Sequence, residues 1–450
     1  MHERAGVTPY GATPSARQQA WHAREFYGFL HFTVNTFTDR EWGYGDETPD
    51  MFAPTEFDAA QIVADAQRGG MHGLILTAKH HDGFCLWPSR YTQHSVASSA
   101  WRNGQGDVVG EIAAACAAAG LRFGVYLSPW DRNHAEYGRP AYLTYYRNQL
   151  RELLTQYGPI FEVWFDGANG GDGFYGGARE HRTIDAQTYY GWDETIALVR
   201  ELQPEACIFS DAGPDVRWVG NEQGIAGEPC WATIDAAGLY PGYAEPARLN
   251  SGQRGGAEWL PAECDVSIRP GWFYHAHEDD KVRSPENLLD VYLKSVGRGA
   301  NLLVNLPLDR RGLVHPIDAA ALAGFAALRA RLTAVPLTGH IEPAPAQRLP
   351  AAVVWMPAAA ELTPTVTLRL AAAAKVGVVD IGEAIAYGQR IWGWELAVDR
   401  AGVWETVAAG ESIGYRRLVV VGRAPVTAVR LRITAAGAPA VLRLFTAYEQ

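Results

Sequence analysis

Short, mostly apolar runs recur through the first three quarters of the chain, each closing on polar or aromatic residues. YGFLHFTVNTF around residue 30, HGLILTAKHHDGF from His72, LRFGVYLSPW from Leu121, IFEVWFDG from Ile160 and ACIFSDA from Ala206 are of this kind. SIRPGWFYH from Ser267 and ANLLVNLPLD from Ala300 complete the set. Continuous apolar runs of this length are expected of parallel strands covered on both faces. Between them lie helical patterns with readable ends. Thr55 to Gly69 opens on a Thr-x-x-Asp signal, Asp107 to Gly120 stops at glycine, and Pro140 to Gly158 repeats that plan. Ser284-Pro285 opens a helix with Leu288, Leu289, Tyr292, Leu293 and Val296 on one stripe. Seven strand candidates alternating with helices predict a (β/α)8 TIM-like barrel with one strand irregular or unread.

The texture changes after the alanine- and leucine-rich helix Asp318–Leu332. From Thr365 onward TVTLRL, VGVVDI, RIWGWELAV, RLVVV, AVRLRITAA and AVLRLFTAY alternate with turn residues, which predicts a C-terminal β-sandwich. The proline-spaced run Val335–Pro350 reads as the linker, giving a barrel over residues 1–335 and a sandwich over 336–450.

Composition removes several classes of function. The chain has 450 residues, 48% of them hydrophobic, enough for a sizeable core. A net charge of -11 lacks the basic footprint that nucleic acid or an anionic membrane surface demands. No run approaches the roughly 20 apolar residues of a spanning helix. The first 26 residues lack the apolar stretch of a secretory signal, so the expected location is the cytoplasm, or elsewhere after processing. The five cysteines form no CxxC pair, which argues for reduced buried thiols rather than a zinc or redox motif.

In such a barrel the chemistry belongs at the carboxyl ends of the strands. Those ends carry His31, Glu41, His80, His81, Tyr126, Trp130, Trp164, Asp166, Asp211, Trp272 and His275. Asp166 ends a buried run and precedes a glycine-rich loop, the position of a reacting carboxylate. Adjacent residues on a strand point to opposite faces, so His80 and His81 share a pocket only where the strand has ended. Several of the 15 tryptophans exceed what one core needs and suit a carbohydrate platform. A glycosidase needs a second carboxyl; Asp211, Asp215, Glu222, Glu228, Glu258, Glu263 and Glu278 are all open candidates. The residues thus read as a TIM-barrel hydrolase acting on a sugar. A metal-dependent hydrolase built on His80, His81 and Asp166, and a silent sugar-binding protein, are the rivals.

GFLHFTVNTF, TAKHHDGFCLWPS, GVYLSPWDRN, VWFDGANG, VRWVGNEQG and GRGANLLVNLPLDRRGLVHP, in that order, resemble the α-L-fucosidases of glycoside hydrolase family 29 over most of Phe26–His315. The form VRWVGNE is more similar to the subgroup restricted to α-1,3/1,4-linked fucose than to the broad-specificity one. The resemblance implies a retaining exo-α-L-fucosidase that needs no metal or cofactor and acts on fucosylated oligosaccharides or glycans. It implies Asp166 as nucleophile and Glu222 as general acid/base. It places His31, Glu41, His80, His81, Tyr126, Trp164, Arg217 and Trp272 around the sugar, with Trp231 or Trp259 as candidates for contacting the rest of the glycan.

Overall fold

The computed structural model describes residues 7–243, 245–344, 355–357, 360–422 and 424–449. Eight parallel strands close into a barrel: β1 (Phe26–Leu30), β2 (Gly73–Lys79), β3 (Arg122–Leu127), β4 (Ile160–Trp164), β5 (Cys207–Ser210), β6 (Val216–Trp218), β7 (Ala262–Ser267) and β8 (Asn301–Asn305). Each strand lies beside its neighbour in sequence, and β8 closes on β1 with Tyr27 opposite Leu303. The unread strand is β6, whose three residues are too few to show a periodicity. The run from Ser267 is corrected: β7 ends on its first residue, and Ile268 to His275 form the loop at the carboxyl end of that strand.

Helices pack outside the strands with the predicted punctuation. Asp107 caps Val108–Ala119 and Gly120 ends it at a φ of 73°, the left-handed conformation that glycine adopts without steric cost. Ser284 caps Pro285–Lys294 through the Asn287 amide. The helix expected from Thr55 begins instead at Ala59, where Asp58 accepts from the amides of Ala60 and Gln61. Inside the barrel, Trp21, Tyr27, Phe29, Ile75, Tyr126, Phe161, Trp164, Phe209, Val216 and Leu303 pack as one cluster.

Among the described residues the C-terminal region is an antiparallel sheet domain of seven strands. Its axis is the strand Thr365–Glu383, whose first half pairs with Gly339–Glu342 and Pro425–Ala436 and whose second half pairs with Arg417–Val420 and Leu442–Glu449. TVTLRL and VGVVDI are therefore one strand that passes between two packed faces. The expected linker is partly strand, since Gly339–Glu342 joins this sheet; residues 345–350 lie outside the described residues. Arg416 ties the domain to the barrel, donating to Glu25 at 2.6 Å and to Asp380 at 2.7 Å.

Candidate active site

A cavity of about 310 Å³ opens at the carboxyl ends of the barrel strands. Asp166 lies on its floor, two residues past the end of β4. Its Oδ2 accepts from the Tyr126 hydroxyl at 2.9 Å and its Oδ1 from the Ala168 amide at 2.7 Å. Both oxygens are therefore held, which fixes the orientation of the carboxylate. The turn behind it needs glycine: a Cβ on Gly167 would sit 2.0 Å from an oxygen of Asp211.

Three histidines face the same space. β2 ends at Lys79, so His80 and His81 escape the alternation of a strand and both line the cavity, their ring centroids 4.1 Å apart. Burial pushes His31 down to about 3 and His81 to about 4, and lowers His80 well below the usual histidine range. All three are neutral rings at ordinary pH, each with one donor and one acceptor. Ser128 gives its hydroxyl proton to the Trp130 carbonyl at 2.7 Å, so His81 Nδ1–H donates to Ser128 Oγ at 2.7 Å. The unprotonated Nε2 of His81 is left facing Asp166 Oδ2 at 3.8 Å.

Aromatic rings form the walls. Trp164 stacks on Phe209 at 4.1 Å and is pinned by donating its indole N–H to Glu263 at 2.8 Å. Trp272 closes another side, with its indole 3.3 Å from Glu222 Oε2. Glu41 reaches this loop from far away in sequence, accepting the Trp272 and Phe273 amides at 2.8 and 3.0 Å. A Cβ on Gly271 would meet that carboxylate at 2.6 Å, so glycine permits the approach. Glu222 stands at the rim; partial burial, with the charges of Asp166 and Glu41, pushes its carboxyl above the usual range against the opposing Trp272 hydrogen bond.

Nine of the ten expected site residues line this cavity: Asp166, Glu222, His31, Glu41, His80, His81, Tyr126, Trp164 and Trp272. Arg217 does not. Fully buried on β6, it donates to the backbone carbonyls of Leu249 and Trp231 at 2.8 Å each and to that of Leu260. Its inward neighbours are loop carbonyls that need a multivalent donor, so it braces the loops behind the site. Trp231 and Trp259 are likewise buried, at 4% and 5% exposure, and lie outside the cavity lining.

The cavity also holds residues that sequence reasoning passed over or left among many. Trp42 is 53% exposed beside His81, and Trp218 donates to Asp265 at 2.8 Å. Asp265 is buried on β7, where desolvation and the nearby Glu222 and Glu263 push its carboxyl well up. Burial raises Asp211 to about 7, opposed by the Gly242 amide and aided by Asp166. His80, His81 and Asp166 are not among the described residues whose ligand atoms gather as a metal would require.

The alpha-L-fucosidase family model matches residues 8–328. Putative alpha-L-fucosidase 1 of Oryza sativa is 42% identical over 427 residues, 91% of this chain and 80% of that protein. Alpha-L-fucosidase 1 of Arabidopsis thaliana is 42% identical over 424 residues, 90% of this chain and 81% of its own length. A glycoside hydrolase 29 family member from an unknown rumen bacterium superposes with a TM-score of 0.90 at 41% identity, covering 98% of this chain and 78% of that one. A Ruminococcus gnavus GH29 fucosidase solved with fucose gives 0.86 at 26% identity, covering 99% and 96%.

Proposed function

Because this chain belongs to the alpha-L-fucosidase family and is a glycoside hydrolase of that activity, we propose that it releases terminal α-1,3/1,4-linked L-fucose by a retaining double displacement. Asp166 is the nucleophile and Glu222 the acid and base. The observation carrying this reading is that both carboxyls line one cavity, the first anchored through both oxygens and the second raised toward its protonated form.

In the first step Asp166 attacks the anomeric carbon while Glu222 gives its proton to the departing oxygen. Esterification removes the negative charge of Asp166, one of the causes that raise Glu222. Glu222 then ionises more readily and takes a proton from the attacking water. Fucose has three free hydroxyls and a methyl group. Neutral His31, His80 and His81 supply donors and acceptors for the hydroxyls, and Phe29, Trp164 and Trp272 offer apolar wall for the methyl. A fucosylated oligosaccharide or glycan is the substrate class.

Azide rescue tests both roles. Asp166→Gly should lose activity on an aryl α-fucoside and, with azide, form the inverted β-fucosyl azide. Glu222→Ala, given a good leaving group, should still form fucosyl-enzyme and yield the retained α-fucosyl azide. Exchange of the two products between the variants would reverse the assignment.

A further inference from the structure

Outside the cavity, on the far side of Glu41, Asp39, His275 and His277 present one ligand atom each, all within 4.8 Å of one another. They are the one such set among the described residues. Asp39 and His277 are exposed, whereas His275 is buried between two carboxylates. Its Nε2–H donates to Glu41 Oε1 at 2.7 Å, and its Nδ1 lies 2.7 Å from Asp39 Oδ1. The His275 and His277 rings have centroids 5.4 Å apart.

This arrangement reproduces the outer shell of a metal-bound histidine. Such a ring binds metal through one nitrogen and donates its other N–H to a carboxylate, which fixes the ring and raises the basicity of the ligating nitrogen. Here Glu41 is that carboxylate, and Nδ1 is directed at Asp39. We propose that Asp39, His275 and His277 bind a divalent transition metal of the zinc class, with Glu41 as outer-shell support. Binding displaces the proton of His275 Nδ1 to solvent and leaves the Nε2–H on Glu41. Two imidazoles and a carboxylate suit zinc, nickel or cobalt rather than calcium or magnesium, which prefer oxygen ligands.

The site has a route to the reaction. Glu41 also holds the Trp272 and Phe273 amides, and the Trp272 indole meets Glu222. A metal on His275 draws on the same Glu41 carboxylate, so occupancy should lower turnover without competing with the sugar.

The experiment uses untagged, chelator-treated enzyme titrated with zinc chloride by calorimetry, without substrate. One equivalent should bind, with affinity reduced at least tenfold in His277→Ala and in Asp39→Asn. Cobalt(II) should give the visible absorption of a low-symmetry nitrogen–oxygen site in the wild type and lose it in His277→Ala. Zinc should reduce kcat on an aryl fucoside over the same concentration range, and His277→Ala, whose metal-free activity should equal the wild type's, should be insensitive. No stoichiometric binding, binding unaltered by both substitutions, or turnover unaffected at saturation would overturn the proposal. The calorimetric result is independent of the assignment of Asp166 and Glu222.

Discussion

Trp272 donates its indole N–H to Glu222 Oε2 over 3.3 Å, so one ring both walls the cavity and holds the carboxyl at its rim. That hydrogen bond favours the ionised carboxylate and works against the other influences on Glu222, which raise it.

Trp272→Phe keeps an aromatic wall and removes the donor. The Glu222 carboxyl should then rise further, and the alkaline limb of kcat/KM, which in the proposed mechanism reports loss of its proton, should move to higher pH. A pH–rate profile on a natural glycan checks this. An unmoved or acid-shifted alkaline limb would detach the indole from Glu222.

Tyr126→Phe removes one of the two donors to Asp166, at 2.9 Å. A hydrogen bond to a charged group contributes about 1.5–3 kcal/mol, so kcat/KM should fall roughly 10- to 150-fold. The melting temperature should change little, since the ring that packs against Trp164 is retained. Steady-state kinetics beside a thermal melt separates the two effects.

Arg217→Met tests the correction to the expected site. The variant leaves the carbonyls of Leu249, Leu260 and Trp231 without their buried donor. Stability should fall by about 3 kcal/mol. The fraction that folds should keep KM for an aryl fucoside within a few-fold of wild type. A direct contact of Arg217 with the sugar would instead raise KM with stability preserved.

The sequence showed what burial makes legible and missed what pairing makes legible. The strands β1 to β5 and β8 are covered on both faces and read as apolar runs. AECDVS, which holds β7, gives no apolar run because it carries two carboxylates. They are tolerated inside because indole N–H groups meet them, Trp164 on Glu263 and Trp218 on Asp265. The aromatic loop that follows reads as the strand because Phe273 and Tyr274 are buried like strand residues. In the second domain Val403–Gly410 carries no strand signal, being a sparsely buried edge strand without apolar alternation. At the site, strand-end position identified Asp166, His80 and His81. Arg217, which only the resemblance implied, sits mid-strand on β6, and its direction depends on carbonyls 14 to 43 residues away, which local pattern does not encode.

Asp211 gives a stability signature in pH. Its ordinary value of 3.8 rises to about 7 in the folded chain, so between those values the native state binds more protons than the unfolded one. Its contribution is fully present below about pH 4 and is lost as pH rises through 7. Asp211→Asn keeps an oxygen for the Gly242 amide and has no proton to lose. Relative to wild type the variant should gain about 1–4 kcal/mol between pH 5 and pH 8. Urea unfolding at both pH values measures it, and an equal difference at the two would refute the shift.

Linkage preference is tested by separating what the leaving group needs from what the fucose needs. An aryl fucoside with a good leaving group requires neither protonation nor contacts beyond the sugar. A Lewis-type trisaccharide requires both, and gains from rim contacts only where they strengthen in the transition state. Trp231 and Trp259 are buried, so any such contact must come from the exposed mouth, where Trp42 and Glu222 stand. If the enzyme belongs to the α-1,3/1,4 subgroup that VRWVGNE resembles, kcat/KM on the trisaccharide should exceed that on 2′-fucosylated lactose and on the aryl fucoside by at least tenfold. Glu222→Gln should then reverse the order. It removes the proton that the trisaccharide needs in the first step, typically a 10²- to 10⁴-fold effect, while the aryl substrate still fucosylates Asp166. Equal kcat/KM for the wild type on all three substrates would assign a broad-specificity enzyme. A ratio unchanged by Glu222→Gln would take the proton from a different carboxyl, with Asp265 the next on the same wall.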